Sequence, residues 1–280
     1  MYIGCRKLED QSLRGVSKVM SKRNKDNYVV RSIANALELL ECFKGERDEL
    51  GVTELSQQLG LPKNNIFRML ATLSAKGYVE QNPVTGTYRL GIKTFELGQV
   101  FRKRMGLLKQ ARPVLEKLET QCGESSYLAI IQEGMVVYVD MVETTHSVRI
   151  VPKLGQRVPA YCTAVGKAQL AYESHDEIER IIEKLGFTKL TPNTITDKQQ
   201  LMEHLAEVTR NGYATDNEEL EMEVKCVAAP IRDYTGKVVA GICVSGPVQR
   251  MTQPLVESEL VGMIKQAALE ISERLGYSPA

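Results

Sequence analysis

Lys63, Asn64, Asn65 and Arg68 crowd into six residues and are the side-chain types that read double-stranded DNA. Asparagine pairs bidentately with adenine, arginine does so with guanine, and lysine neutralises phosphate. Ile66, Leu70 and Leu73 recur at helical spacing, so the polar set falls on or beside the opposite face of one helix. Other groups with chemical potential are more dispersed. The six cysteines (Cys5, Cys42, Cys122, Cys162, Cys226 and Cys243) show no two-residue spacing of a zinc knuckle or thioredoxin-like site, and reduced, mostly buried thiols are expected. A metal site would have to draw on Cys162, Cys226, Cys243, Asp216 and His146, yet the three histidines are far apart, with His175 and His204 on helices expected to be exposed. Neither metal nor cofactor is expected. Lys167 follows Gly166 without the glycine pattern of a phosphate loop, and is expected to cap or pack at a rim. The run Asp216 to Glu223 offers paired carboxylates or a calcium loop, but reads more simply as a solvated approach to a strand. No catalytic residue is assigned. The alternative from another class is an enzyme working through Cys226 or Cys243, although cysteine in apolar strands ordinarily behaves as a small hydrophobe.

The DNA-type face needs elements to hold it. Ser32 is a plausible cap for a first helix with Ile33, Leu37, Leu40 and Phe43 on its apolar side. Thr53 can cap a second, carrying Leu55 and Leu59. Gly60 then supplies a tight turn, and Pro62 opens the third helix where its missing N–H costs little. Lys76-Gly77 ends that helix. Tyr78 to Gln81 and Thr87 to Leu90 follow as strands joined by a turn with Pro83 and Gly86. This pattern predicts a winged helix-turn-helix over residues 27–91, its core at Gly51 to Lys76. Asn64, Asn65 and Arg68 are expected at bases, and Thr53, Lys63, Thr87 and Arg89 at the DNA backbone or on the wing.

Residues 92–122 are expected to be helical, with Ile92, Phe95, Leu108, Ala111, Leu115 and Leu118 on one stripe and a break near Gly106. Strands follow at Ser126 to Gln132, Met135 to Val142 and Val148 to Pro152, then a helix from Thr163 to Tyr172. Capping patterns at Ser174 and at Thr196 announce two more helices. Strands return at Cys226 to Arg232 and Val238 to Ser245, before a closing helix from about Gln253 to Leu275. The chain is thus expected to be α+β, with a flexible basic tail at 1–26, a linker helix at 92–106 and a second domain on an antiparallel sheet at 107–280. Two domains suit 280 residues. Its overall charge of +1 conceals a division, since residues 1–110 carry a net +8 and the rest −7. Residues 27–91 are formally neutral, so positive charge sits in the flanks at 1–26 and 92–110. Apolar runs are too short to span a membrane and neither a secretory nor a twin-arginine signal is evident, so a cytoplasmic location is expected.

The chain resembles the IclR family of bacterial transcriptional regulators from about Tyr28 to Tyr277. The matching pieces are Thr53-Glu54-Leu55, Gly60-Leu61-Pro62-Lys63, Arg68-Met69-Leu70, Gly77-Tyr78-Val79 and Tyr88-Arg89-Leu90-Gly91. Sharper ones are Ala164-Val165-Gly166-Lys167-Ala168, Cys226-Val227-Ala228-Ala229-Pro230 and Val244-Ser245-Gly246-Pro247. The resemblance implies a winged helix-turn-helix, a linker helix and a GAF-like effector domain, assembled as a homodimer or homotetramer on a palindromic operator. It implies a small-molecule effector, first among them a small organic acid, bound by Ala164, Val165, Asp216, Cys226, Cys243 and Ser245. Two positions depart from the family pattern: Glu223 stands where glycine is usual, and Cys243 where serine is common.

Overall fold

The structure, a computed structural model, describes residues 29–45, 47–104 and 106–279. The basic tail expected at 1–26, with Cys5, lies outside the described residues. The chain divides into two compact units, one ending at Phe101 and one beginning at Arg102.

In the first unit, α1 (Arg31–Cys42), α2 (Val52–Leu59) and α3 (Lys63–Ala75) precede a hairpin of β1 (Val79–Gln81) and β2 (Tyr88–Leu90); α4 (Ile92–Arg104) starts in this unit and ends three residues past its last residue. Leu39, Leu55, Ile66 and Leu70 are fully buried and, with Phe43, Val79 and Tyr88, form the core. Gly60 ends α2 in the left-handed conformation (φ 64°), where a side chain would be strained, and thereby makes the tight turn into α3. Leu50 bridges Tyr88 and so adds a third short strand segment to the wing.

Three local expectations are corrected in this unit. Helix α1 begins at Arg31 after Val30, with no side-chain cap, so Ser32 lies inside it. Helix α2 is capped at Gly51, whose N–H donates to the Glu54 carboxylate (2.9 Å), and Thr53 sits in the first turn. The buried side of α1 is Leu39 and Phe43, while Ile33 and Leu37 are exposed, as are Ile92 and Phe95 on α4. Helical periodicity alone allows either stripe; contact with α2 and α3 selects one.

The second unit starts with α5 (Gly106–Cys122) and is built on β3 (Ser125–Gln132), β4 (Met135–Val142), β5 (Arg157–Pro159), β6 (Ala214–Asn217), β7 (Val224–Arg232) and β8 (Val238–Pro247). All neighbours are antiparallel, in the order β5-β4-β3-β8-β7-β6. Side chains alternate between the faces. Leu128, Val227, Ala229, Ile242 and Val244 pack with α5 and the closing helix α10 (Val261–Arg274), whereas Tyr127, Ala129, Ala228 and Cys243 pack with α6 (Ala164–Leu170) and α8 (Lys198–Asn211). Helix α7 (His175–Leu185) is capped by the Ser174 hydroxyl, which accepts from Glu177 N–H (3.2 Å). The cap of α8 is Asp197 rather than Thr196, accepting from Gln200 N–H (2.8 Å). A short helix α9 (Gln253–Leu255) and a π-helical turn (Val256–Leu260) lead into α10.

Residues 148–152, expected as a strand, are loop, and the strand on that edge is β5. Strand β6 runs into the start of the stretch expected to be solvated, at Asp216 and Asn217, where its partner β7 supplies the ladder. Among the described residues no helix is long and apolar enough to cross a membrane.

Glu223 explains one departure from the family pattern. It adopts φ 65°, as Glu218 does at 60°, in the turn joining β6 to β7. Glycine tolerates this conformation, and a side chain there is strained by roughly 1 kcal/mol. Glu223→Gly is therefore expected to raise stability by about 0.5–1 kcal/mol, measured by urea unfolding; a loss of stability would show that the strain is offset by the Glu223 side chain.

Candidate functional site

Lys63, Asn64 and Asn65 occupy the first turn of α3 and Arg68 follows one turn later, so that Asn64 and Arg68 stack at i and i+4. All four are exposed, and none of their side chains has a hydrogen-bond or ion-pair partner among the described residues. Thr53 is likewise exposed on α2. The wing residues are already engaged. Thr87 donates to Glu49, which also accepts from Asn82 (3.1 Å), and these bonds hold the Glu49 carboxyl below its usual range. Arg89 pairs with Glu80 (3.1 Å). An open apolar groove of about 1080 Å³ lies between α1, α3 and α4, lined by Ile33, Leu37, Phe67 and Leu97. Ser32, Asn35, Asn65, Arg68 and Tyr78 also line it.

The second unit encloses a cavity of about 280 Å³. Sheet register builds one wall: Asp216 pairs with Cys226, Cys226 with Ser245, and Ser245 with Ser125, a row across β6, β7, β8 and β3. Cys243 sits two residues before Ser245 on the same face. Ser245 donates to Cys226 Sγ (3.0 Å). Ala164 and Val165 form the opposite wall at the start of α6, where Thr163 accepts from Gly166 N–H (3.1 Å). A Cβ on Gly166 would lie 2.2 Å from the Ala160 carbonyl oxygen, so only glycine lets this turn close. The loop with Arg149, Ile150, Val151 and Pro152 covers the cavity, and Tyr127 tethers it by donating to the Ile150 carbonyl. All six residues named from the resemblance thus line one cavity. Tyr138, Arg149, Leu220 and Glu221 line it too and were not foreseen, because their loops and neighbouring strand carry no local signature.

Burial behind this wall overturns three expectations. Lys167 is not at a rim; it is fully buried and bonds Glu219 (2.5 Å), itself 7% exposed. The acidic run is therefore not simply solvated, since Asp216 (3% exposed) and Glu219 both point inward. Asp216 accepts from Glu219 N–H (2.7 Å), and Thr191 and Thr194 donate to the Glu219 carbonyl. Burial, then the Glu219 charge, push Asp216 up to about 7. His204 is half-buried rather than exposed, and burial followed by the Lys167 charge lowers it. Burial pushes Cys226 well up and Cys243 to about 12. Both are neutral thiols at physiological pH, poorly suited to nucleophilic attack. Among the described residues no three His, Cys, Asp or Glu side chains gather as a metal site.

Removing one partner of a buried pair strands the other charge. Lys167→Met should lower stability by about 3–5 kcal/mol, while the double change Lys167→Met with Glu219→Leu should restore most of the loss. Urea unfolding of the two variants checks this, and equal losses in both would show that the two side chains are not energetically coupled.

Comparison with known proteins covers both units. The model of the IclR helix-turn-helix domain matches residues 32–83, and that of the bacterial transcriptional regulator IclR C-terminal domain matches residues 99–273. The chain is 34% identical to the HTH-type transcriptional regulator KdgR of Escherichia coli K12 over 248 residues, covering 89% of this chain and 94% of KdgR. It is 31% identical to the transcriptional repressor IclR of the same organism over 249 residues, 88% of this chain and 90% of the repressor. A crystal structure of an IclR homologue from Microbacterium hydrocarbonoxydans, complexed with 4-hydroxybenzoate, superposes with a TM-score of 0.77 at 25% identity, over 87% of this chain and 98% of that one. With a helix-turn-helix unit and an effector-type unit matched in order along the chain, this protein belongs to the IclR family of DNA-binding transcriptional regulators.

Proposed function

We propose that this regulator is a repressor that binds a palindromic double-stranded operator as a homodimer or homotetramer, and that a small organic acid in the cavity of the second unit alters its operator affinity. The observation that carries the effector assignment is the sheet wall of Asp216, Cys226, Cys243 and Ser245 facing Ala164 and Val165 across a cavity of about 280 Å³. Such a volume suits a ligand on the order of ten non-hydrogen atoms, near the small end of protein pockets. The bound 4-hydroxybenzoate of the Microbacterium homologue is of that class. The high pKa of Cys226 and Cys243 favours binding over thiol catalysis at this site.

On the DNA side, the free face of α3 supports Asn64, Asn65 and Arg68 as base readers, with Thr53 and Lys63 at phosphates. Thr87 and Arg89 then serve first to shape the wing through Glu49 and Glu80, and Arg89 reaches a phosphate only by leaving Glu80. Effector occupancy acts through differential affinity for two arrangements of the protein, a coupling of about 1–3 kcal/mol, with residues 92–106 as the connecting segment.

Arg68→Ala should weaken operator binding by about 1–3 kcal/mol and relax preference at one base position, read by gel shift with DNA flanking the protein's own gene. Unchanged affinity in the folded variant would remove Arg68 from the interface. A thermal-shift screen of small organic acids should find ligands that raise the melting temperature of the full chain. Asp216→Ala and Ser245→Ala should abolish that rise; a response that survives both places the effector elsewhere.

A further inference from the structure

The cavity contains a buried carboxyl group and no uncommitted cation among the described residues. The nearby basic side chains are taken, Lys167 by Glu219 and Arg149 by Glu143 (2.9 Å) and the His146 carbonyl (3.3 Å). Asp216 shares the cavity lining with Cys226 on β7, Cys243 and Ser245 on β8, Tyr138 on β4, Arg149 in the covering loop and the exposed Glu221, while Cys162 in the turn before α6, Lys167 on α6 and Glu219 in its own turn lie within electrostatic reach. Burial keeps the three thiols and the Tyr138 phenol neutral near physiological pH. Lys167 and Glu219 pair with each other, the Glu219 charge adds to burial in raising Asp216, and the Asp216 carboxyl is the buried acid of the cavity wall, with a proton held to about pH 7.

A ligand carboxylate entering this space meets a like charge unless Asp216 carries its proton. Two carboxyl groups in direct contact share one proton between them, because like charges at that distance do not both ionise. Resting on the assignment of the cavity as the effector site, we propose that the effector is a monoanionic organic acid whose carboxylate accepts a hydrogen bond from protonated Asp216, so that binding at alkaline pH takes up one proton from solvent. The proton is transferred from water or buffer to the Asp216 carboxylate, and no covalent bond to the ligand forms. The Ser245 hydroxyl, free to rotate from Cys226, is a second donor. Because ligand and proton bind together, affinity is level below about pH 6 and falls about tenfold per unit well above pH 7.

Isothermal titration of the full chain tests this with 4-hydroxybenzoate, gluconate and lactate, alongside the neutral methyl ester of 4-hydroxybenzoate and glucose, in buffers of low and high ionisation enthalpy. Proton uptake by the acids that bind is expected to rise from roughly 0.1 at pH 6 to roughly 0.9 at pH 8. Asp216→Asn supplies a permanent amide donor, and is expected to bind the same acids with no uptake and with level affinity over that range. Zero uptake in the native chain, a wild-type pH slope in Asp216→Asn, or binding of the neutral probes alone overturns the proposal and leaves the effector site standing. If none of the acids or neutral probes binds at any pH, the site assignment falls and the proposal with it. Should Asp216→Asn fail to fold, the native chain still decides: the Asp216 carboxyl carbon, followed by NMR, must titrate at least one pH unit higher with ligand than without.

Discussion

An ammonium group with no solvent exposure has to be matched where it lies, because desolvating a charge costs several kcal/mol that only close pairing offsets. Lys167 is in that position, and Glu219, 52 residues later, matches it at 2.5 Å. Much of the second unit follows from this pair. It draws the acidic turn after β6 inward, against the tendency of such a run to face water, and fastens it to α6. The Thr191 and Thr194 hydroxyls complete the clamp on the Glu219 carbonyl. The same turn brings Asp216 to the cavity wall and tolerates left-handed backbone at Glu218 and Glu223. A strained turn held by a buried ion pair keeps one geometry, which is what a binding wall requires.

The cavity sits on one face of a sheet whose other face is closed by α5 and α10. This division leaves β7 and β8 with different tasks on alternate residues: Val227, Ala229, Ile242 and Val244 bury against helices, while Cys226, Cys243 and Ser245 look into the cavity. Small side chains on that second set leave room between the sheet and α6. The covering loop is attached through the Tyr127 phenol, the Arg149 pairing with Glu143 and the Arg250 guanidinium, which donates to the Val148 carbonyl (2.8 Å).

In the DNA-binding unit the polar groups divide by whether the protein already uses them. Glu49, Asn82, Thr85 and Thr87 bind one another and stiffen the wing, and Glu80 occupies Arg89. The face of α3 is left unengaged. Residues 27–91 carry no net charge, so the unit as a whole offers no excess of positive charge for non-specific phosphate attraction.

Local signals were enough to read the helix-turn-helix and its wing: Gly60, Pro62 and Gly77 punctuate the chain, and Pro83 and Gly86 mark the hairpin turn. They act within a few residues, where backbone sterics dominate. The strand stretches read from the sequence match β3, β4, β7 and β8 to within two residues at each end, and the motif resemblance, rather than composition, singled out the six cavity residues. Tertiary structure alone decided which stripe of α1 is buried, since Ile33 and Leu37 have the same periodicity as Leu39 and Phe43 and only packing distinguishes them. It also made residues 148–152 a loop over the cavity, because edge pairing with β4 went to Arg157–Pro159. Most of all it decided the fate of Lys167, Asp216 and Glu219. Charges in a sequence are solvated by default, and burying them depends on partners that only the closed fold brings within reach.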